Sequence, residues 1–465
     1  MQDTTICAIA SSPGTGAIAT LRLSGNEAIT ITSKIFRSPK KNKQLSEQLA
    51  NTIHFGIIFD GEEDIDEVVV TLFHAPHSFT GEEVVEISCH GSVYIQQRIL
   101  QLLIDRGAVM AQPGEFTQRA FLNGKMDLSQ AEAVADLIAS SNAANHRMAL
   151  KQMRGGFSQE IAALRERMLH FMAMVELELD FSEEDVEFAN RQELLKLCTE
   201  IEAHISGLAD SFKLGNALKN GVPVAIVGET NAGKSTLLNA LLKEEKAIVS
   251  DIHGTTRDVI EDVININGTS FRFFDTAGLR DTEDEIEKIG IERSYTKLSQ
   301  AEMVLLVVDF TKSIAEITVH IENIRARINE QQLLIVANKT DRVTREKLSS
   351  FMLDLSLAHN EHLVFISAKE KQNLSELENL LLENSPLNQS EGNDIIVNNI
   401  RHYEALKNAQ TAIRRVLDGL ALGISGDFLA QDIREANHTL QEVTGEAVHD
   451  EEVLGHIFSR FCIGK

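Results

Sequence analysis

Residues 222–242 read VPVAIVGETNAGKSTLLNALL. A short apolar run, a loop bounded by Gly228 and Gly233, and a helical run follow one another without interruption. Strand, loop and helix form the context in which G-x-x-x-x-G-K-[ST] becomes a phosphate loop. The glycines let backbone N–H groups turn toward phosphates, and the helix N-terminus adds the positive end of its dipole. Asn231, Ala232, Gly233, Lys234, Ser235 and Thr236 would then surround a nucleotide. Lys234 reaches the β- and γ-phosphates, and the Ser235 hydroxyl ligates Mg²⁺. The plainer reading, a glycine-rich turn before an ordinary helix, is outweighed by the full motif in its context.

Outward from this loop, strands and helices alternate over residues 218–383, which predicts a P-loop GTPase domain with a mainly parallel sheet covered by helices. Asn338-Lys339-Thr340-Asp341 follows the apolar run 333–337 and selects the base. A carboxylate at Asp341 can accept both N1–H and the exocyclic amine of guanine, whereas ATP would leave it unpaired. Ser367-Ala368-Lys369 follows another strand and matches the loop that supports the base. Thr255 and Thr256 lie in the loop 251–258; Thr256 is chosen as the Mg²⁺ ligand that senses the γ-phosphate. Asp275-Thr276-Ala277-Gly278 closes the strand 270–274, with Asp275 holding Mg²⁺ through water and Gly278 meeting the γ-phosphate. The next residue is Leu279, which cannot orient a water by hydrogen bonding. Glu283, Asp284, Glu285 and Glu287 are nearby substitutes, and for most of them a solvated acidic loop is the simpler reading.

The rest of the chain frames this domain. It has 465 residues and a formal net charge of -25, which excludes a broad basic field for nucleic acid. Four dispersed cysteines give no metal spacing and fit a reducing compartment. No signal core precedes residue 20, and MVLLVV at 303–308 falls far short of the roughly 20 residues of a membrane span. A soluble, cytoplasmic protein is expected. Residues 1–123 show period-two alternation and predict an α+β domain. Residues 124–217 are helical, with Leu128, Ala131, Ala135 and Ile138 on one face. Residues 384–465 open with the turn-rich SPLNQSEGND and return to helix, so the α/β domain is read as inserted into a helical one.

With Asn231, GTTRD at 254–258 and DTAGLR at 275–280 in place, the chain resembles the bacterial tRNA-modification GTPase family MnmE, also called TrmE. The resemblance runs the whole length through PGTGAIATLRLSG, SFTGEEVVEISCHG, PGEFTQRAFLNGKMDLSQAEA and the terminal FCIGK. It implies a potassium-activated GTPase whose G domains meet across a homodimer. K⁺ would stand in for an arginine finger, held by Asn231 and by oxygens of Ser250, Ile252 and Thr255. The stretch Ser250, Asp251, Ile252, His253, Gly254, Thr255 and Thr256 joins the nucleotide-binding set, and Glu287, Lys234 and Asn231 form the implied catalytic set. Glu287 would position the water that Leu279 cannot. Arg257 and Arg280 would couple nucleotide state to dimer contact. The loop begins Gly228-Glu229-Thr230 where relatives have Gly-Arg-Pro, and both side chains are expected to point away from the phosphates.

The resemblance also implies a folate-binding N-terminal domain. Arg22, Glu86, Lys125 and Lys465 match its tetrahydrofolate-contacting positions; without the resemblance, Arg22 and Glu86 read as solvent-facing strand residues. A carboxylate can pair with a pterin much as Asp341 pairs with guanine. Cys462 becomes a candidate functional thiol. Gly14-Thr15-Gly16 precedes a strand and reads as a hairpin turn. The basic cluster Arg37, Lys40, Lys41 and Lys43 reads as surface, and His74, His77 and His90 lack metal spacing. The implied reaction modifies C5 of the wobble uridine of certain tRNAs, with 5,10-methylene- or 5-formyl-tetrahydrofolate as one-carbon donor. FAD would reside on a flavin-containing partner protein, in a heterotetramer or larger assembly, and tRNA would be held mostly by that partner. The alternatives are a regulatory or ribosome-assembly GTPase switch without folate chemistry, and an ATP-driven P-loop enzyme.

Overall fold

The computed structural model describes all residues except 1–3, 41–42, 141, 181–190, 245–260, 276–297, 299–300, 329–330, 345–346, 350, 352–354, 387–394, 448–450, 460, 462 and 465. The chain forms two compact units. The first comprises Met1–Ala139, Ala149–Glu202 and Asn408–Lys465; the second comprises Ser140–Met148 and Ala203–Lys407.

The first unit holds a seven-stranded sheet in the order β3-β4-β5-β6-β2-β1-β7, with β3 at Phe36–Arg37 and β4 at Thr52–Asp60. Its central strands are β2 (Ile18–Ser24), β5 (Glu63–Phe73) and β6 (Val84–His90), and neighbours are antiparallel apart from β1 (Ile6–Ile9) with β7 (Val109–Met110). Alternation decides which side chains enter the core. Ala19, Leu21 and Leu23 of β2 and Val85 and Ile87 of β6 are buried, under Ile99, Leu102 and Leu103 of helix α2 (Val93–Asp105). Arg22 and Glu86 therefore share the other face, directly opposite in register. Residues 10–17 link antiparallel β1 and β2, so Gly14-Thr15-Gly16 lies in a hairpin connection.

The helical part of this unit rests on interlocking stripes. Helix α6 (Gly156–Asp180) buries Phe157, Ile161, Leu164, Met168, Phe171 and Val175, at alternating steps of four and three. A later helix, Gly426–Thr444, buries Leu429, Ile433, Ala436, Leu440 and Val443 in the same rhythm, which is the spacing of a helix–helix seam. Arg165 closes the pair, donating to Asn437 Oδ1 at 3.3 Å and Glu446 Oε2 at 2.6 Å. In α4 (Leu128–Ala139) one expected core position fails. Leu128 and Ala131 are buried, but Ile138 is 44% exposed. The first two turns are buried nearly all round, Ser129, Glu132 and Ala133 included, while the last turn runs beyond that packing.

The second unit is a six-stranded sheet, β13-β12-β11-β8-β10-β9. β8 (Val222–Val227), β10 (Thr269–Asp275), β11 (Met303–Asp309), β12 (Gln332–Asn338) and β13 (Glu361–Phe365) are parallel. Edge strand β9 (Glu261–Ile266) pairs antiparallel with β10 across Asn267-Gly268, whose φ values of 49° and 84° suit a two-residue hairpin turn. Parallel strands with both faces covered read as unbroken apolar runs. In β11, Met303, Leu305 and Val307 face one core with α9 (Lys234–Glu244); Val304, Leu306 and Val308 face another with Ile317 and Ile321 of the helix Ile314–Arg325. Chain segments that could bind a ligand accordingly emerge at the carboxyl ends of β8, β11, β12 and β13, the usual site of such sheets.

Candidate functional site

β8 ends at Val227 and the chain turns through Gly228 (φ 149°), Asn231 (φ 64°) and Gly233 (φ 103°) into α9. A side chain at Gly233 would put its Cβ 2.3 Å from Asn338 Nδ2, so only glycine fits here. Lys234 lies at the first turn of α9, its ammonium donating to the carbonyls of Gly228 at 2.6 Å and Glu229 at 3.0 Å. A lysine curled over its own loop is placed where phosphate oxygens would take over those bonds.

Asn338 ends β12, and its buried amide is shared. Its Nδ2 donates to the Ala232 carbonyl at 2.8 Å, and its Oδ1 accepts from the Ala368 N–H at 3.0 Å. Lys339, at φ 67°, crosses back and donates to the Asn231 carbonyl at 2.7 Å and to Asp309 Oδ2 at 2.6 Å. Asp309 sits opposite Asn338 in the β11–β12 register. Burial pushes its carboxyl up, but hydrogen bonds from Lys339 and Thr311 outweigh that and hold it below the ordinary value. The Thr340 N–H donates to the Ile366 carbonyl at 3.2 Å, which sets a short turn carrying Asp341. The Ser367 hydroxyl donates to Asp341 Oδ1 at 2.6 Å and holds that carboxyl below its ordinary value.

These segments enclose a cleft of about 560 Å³. Asn231, Gly233, Lys234, Ser235 and Thr236 line it from the loop and helix after β8, and Asn338, Lys339, Asp341, Ser367 and Lys369 line it from the ends of β12 and β13. Ala232 and Ala368 are buried behind it and contribute backbone. At the unusual start of the loop the expectation divides. Glu229 turns outward into an ion pair with Lys312, whereas Thr230 lines the cleft, because the chain reverses direction at Asn231. Arg342 and Asp309 were not anticipated. Arg342 lines the cleft and is otherwise an exposed residue of a short turn. Asp309 had a signal, a carboxylate closing the apolar run 303–308.

Ser250, Asp251, Ile252, His253, Gly254, Thr255, Thr256 and Arg257 lie outside the described residues, as do Thr276, Ala277, Gly278, Leu279, Arg280, Glu283, Asp284, Glu285 and Glu287. Asp275 closes β10 opposite Ile226, with its backbone beside the strand that feeds the phosphate loop.

A second constellation occupies the first unit. Arg22 donates to Glu86 Oε1 through Nε at 2.9 Å and Nη2 at 2.7 Å, and through Nη1 to the Gly464 carbonyl at 3.3 Å. The pair is mostly buried, with side chains 17% and 28% exposed. It is therefore an engaged ion pair and not the solvent-facing pair that strand alternation alone suggests. Lys125 is exposed and donates to the Pro76 carbonyl at 2.8 Å. Gly464 brings the chain end to Arg22; Lys465 and Cys462 lie outside the described residues. His74 and His90 are paired with Glu83 and Asp66, and no metal-ligating cluster occurs among the described residues. Among them, too, no helix is long and apolar enough to cross a membrane.

The family described as the MnmE helical domain matches residues 128–462, and the GTP-binding protein TrmE N-terminus matches residues 5–125. The tRNA modification GTPase MnmE of Bacteroides thetaiotaomicron is 59% identical, covering 100% of each chain. Its counterpart in Parabacteroides distasonis is 56% identical over 99% of this chain and 100% of its own, and that of Christiangramia forsetii 52% over 99% of each. Full-length identity of this order, together with two family matches that run from residue 5 to residue 462, shows that the chain belongs to the MnmE family of tRNA modification GTPases.

Proposed function

We propose that this chain binds guanine nucleotide in the cleft of its second unit and hydrolyses GTP in the service of tRNA modification. The observation that carries the reading is the hydrogen bond from Ser367 to Asp341 Oδ1, which fixes a carboxylate at the base side of the same cleft that Lys234 and Ser235 line. Guanine offers N1–H and an exocyclic amine to such a carboxylate; adenine does not. The relatives from Bacteroides thetaiotaomicron and Parabacteroides distasonis are named tRNA modification GTPases, which supports the same activity.

Lys234 would bind the β- and γ-phosphates, and the loop amides from Asn231 to Ser235 would orient them. Ser235 fits a hard divalent cation by its hydroxyl and its place at the first turn of α9, so with Thr256 it would hold Mg²⁺. Asn231 lines the cleft with its backbone fixed by Lys339, which suits an amide-oxygen ligand for K⁺; Ser250, Ile252 and Thr255 would complete the set. When bound, these cations would neutralise charge that develops between the β- and γ-phosphates. Glu287 would position water for attack on the γ-phosphorus, because Leu279 cannot.

Folate chemistry fits the first unit. Among the described residues Glu86 Oε2 has no hydrogen-bond partner, since both bonds from Arg22 fall on Oε1. An acceptor left over in a mostly buried ion pair suits the N–H and amine edge of a pterin, with Lys125 and Lys465 available for the carboxylates of a reduced folate. The chain would act as a homodimer with a flavin-containing partner at C5 of a wobble uridine, the partner supplying FAD and most of the tRNA contact, in the cytoplasm. The GTPase domain 218–383 would be inserted between helical parts 124–217 and 384–465, behind a folate-binding domain of residues 1–123.

Asp341→Asn tests the base assignment. It should shift preference from GTP toward xanthosine triphosphate, whose C2 carbonyl can accept from the new amide. Unchanged nucleotide preference would remove the argument.

A further inference from the structure

The segment between Phe73 and Val84 joins β5 to β6 by a connection much longer than the roughly two to five residues a hairpin needs. It is fastened at many points. Ser24 donates to Glu82 Oε2 at 2.6 Å, so its other contact, 2.6 Å to Thr80 Oγ1, is one in which Thr80 donates. Arg119 binds the same Glu82 at 3.2 Å, together with Glu115 Oε1 at 2.8 Å and the Thr4 carbonyl at 2.8 Å. Asn123 donates to the Thr80 carbonyl at 2.8 Å. Gly81, at φ +80°, packs so closely that a Cβ would lie 3.2 Å from Asn123 Cβ. Ser24 and Thr80 are fully buried and Arg119 is 8% exposed, so this polar network is satisfied inside the protein and rigid.

The one phenylalanine of the fastened segment stays out of the core. Phe79 is 36% exposed, and the Arg22 guanidinium carbon lies 5.7 Å from its ring centroid. Phe116, whose ring centroid lies 5.8 Å from the same guanidinium carbon, is fully buried, so of the two rings near Arg22 only that of Phe79 is open to a ligand. The segment also meets Lys125 at the Pro76 carbonyl. It thus touches the cation beside Glu86 through the exposed ring of Phe79 and, at Pro76, a second cation suited to an acid.

We infer that Phe79 is a ligand-binding residue of the Arg22–Glu86 site, its ring stacking on the flat heterocycle whose donors Glu86 Oε2 accepts. The inference rests on the folate reading and deepens it. A rigid strap lowers the ordering cost of the ring, and stacking is sequence-tolerant recognition of any flat π face. A hydrogen-bonding carboxylate with a stacking wall selects a pterin over a merely acidic ligand.

The test is titration of the full-length protein with 5-formyltetrahydrofolate and with pterin-6-carboxylate, which carries the heterocycle without the benzoyl-glutamate tail. Phe79→Leu keeps apolar packing on Arg22 and removes the ring; Phe79→Tyr restores a ring. Leu should weaken both ligands by about 3- to 10-fold, with Tyr close to wild type. Glu86→Gln is the parallel variant for the folate reading and should lose both ligands. If Glu86→Gln loses binding while Phe79→Leu binds like wild type, the inference is overturned and the folate reading stands. If wild-type protein binds neither ligand, the folate reading fails and the inference with it.

Discussion

Asn338 donates from Nδ2 to the carbonyl of Ala232 at 2.8 Å, so the strand end that leads to base recognition holds the loop that would cradle phosphate. The same amide accepts the Ala368 N–H at 3.0 Å, and Gly233 abuts it too closely to carry a side chain. One buried side chain therefore registers three segments from different strands, and its effect should be global to the cleft.

Asn338→Ala should weaken GTP and GDP together. Truncation leaves the Ala368 N–H and Ala232 carbonyl without this partner, at about 1–3 kcal/mol for each group that stays buried. Titration with a fluorescent guanine nucleotide should show at least about a tenfold loss, equal for both nucleotides, since GTP and GDP share the base and the α- and β-phosphates and Asn338 lines the cleft away from the γ-phosphate lysine. Asn338→Asp should fall between, keeping the acceptor for Ala368 and losing the donor. A loss confined to GTP would mean that Asn338 acts on the γ-phosphate side instead.

Asp309 and Lys339 give the second unit a predicted acid sensitivity. The carboxyl of Asp309 is held below its ordinary value of 3.8 by Lys339 and Thr311 against the opposing effect of burial. A carboxyl whose folded value is depressed stabilises the native state above its unfolded value and loses that contribution as pH falls through the folded one. Denaturant unfolding of wild type and Asp309→Asn should therefore differ by a steady amount above about pH 5 and converge as pH falls below 3.8 through the depressed value. Asp341 and Glu361, also depressed, act in the same direction in both proteins and cancel in the comparison. A difference that stays constant across this range would assign the effect of Asp309 to neutral hydrogen bonding, not to its charge.

The nucleotide cleft was legible because its chemistry is local. Gly228 to Ser235, Asn338 to Asp341 and Ser367 to Lys369 each sit just past an apolar run, and each run proved to be a parallel strand, the first two buried on both faces and the third a half-buried edge strand. What pairs with what was not legible. Lys339 reads as the middle of a base motif, yet its ammonium reaches Asn231 and Asp309 across residues far apart in sequence. The antiparallel edge was marked by Asn267-Gly268 but hidden by the surrounding strand–helix alternation. Arg22 and Glu86 lie 64 positions apart, and their partnership follows from β2–β6 register, which alternation places on a face without naming the opposite residue. Ile138 failed for the converse reason: periodicity gives the direction of a side chain and says nothing of where the packing ends.

GTP turnover in potassium and in sodium, at matched ionic strength and over a range of protein concentrations, addresses the least local part of the proposal. Asn231 is held at φ 64° with its carbonyl taken by Lys339, so its side-chain amide is the part left to face the cleft that it lines. If that oxygen helps to hold K⁺, wild type should turn over about 100- to 1,000-fold faster in potassium, the scale of losing one preorganised charge-stabilising contact. Asn231→Ala should lose most of the difference while still binding GDP, because the backbone bond from Lys339 does not depend on the side chain. Specific activity that rises with concentration would add pairing of G domains to the account. Equal, slow rates in both salts would leave the cleft without an internal source of charge neutralisation and would favour a switch that waits for a separate activating protein.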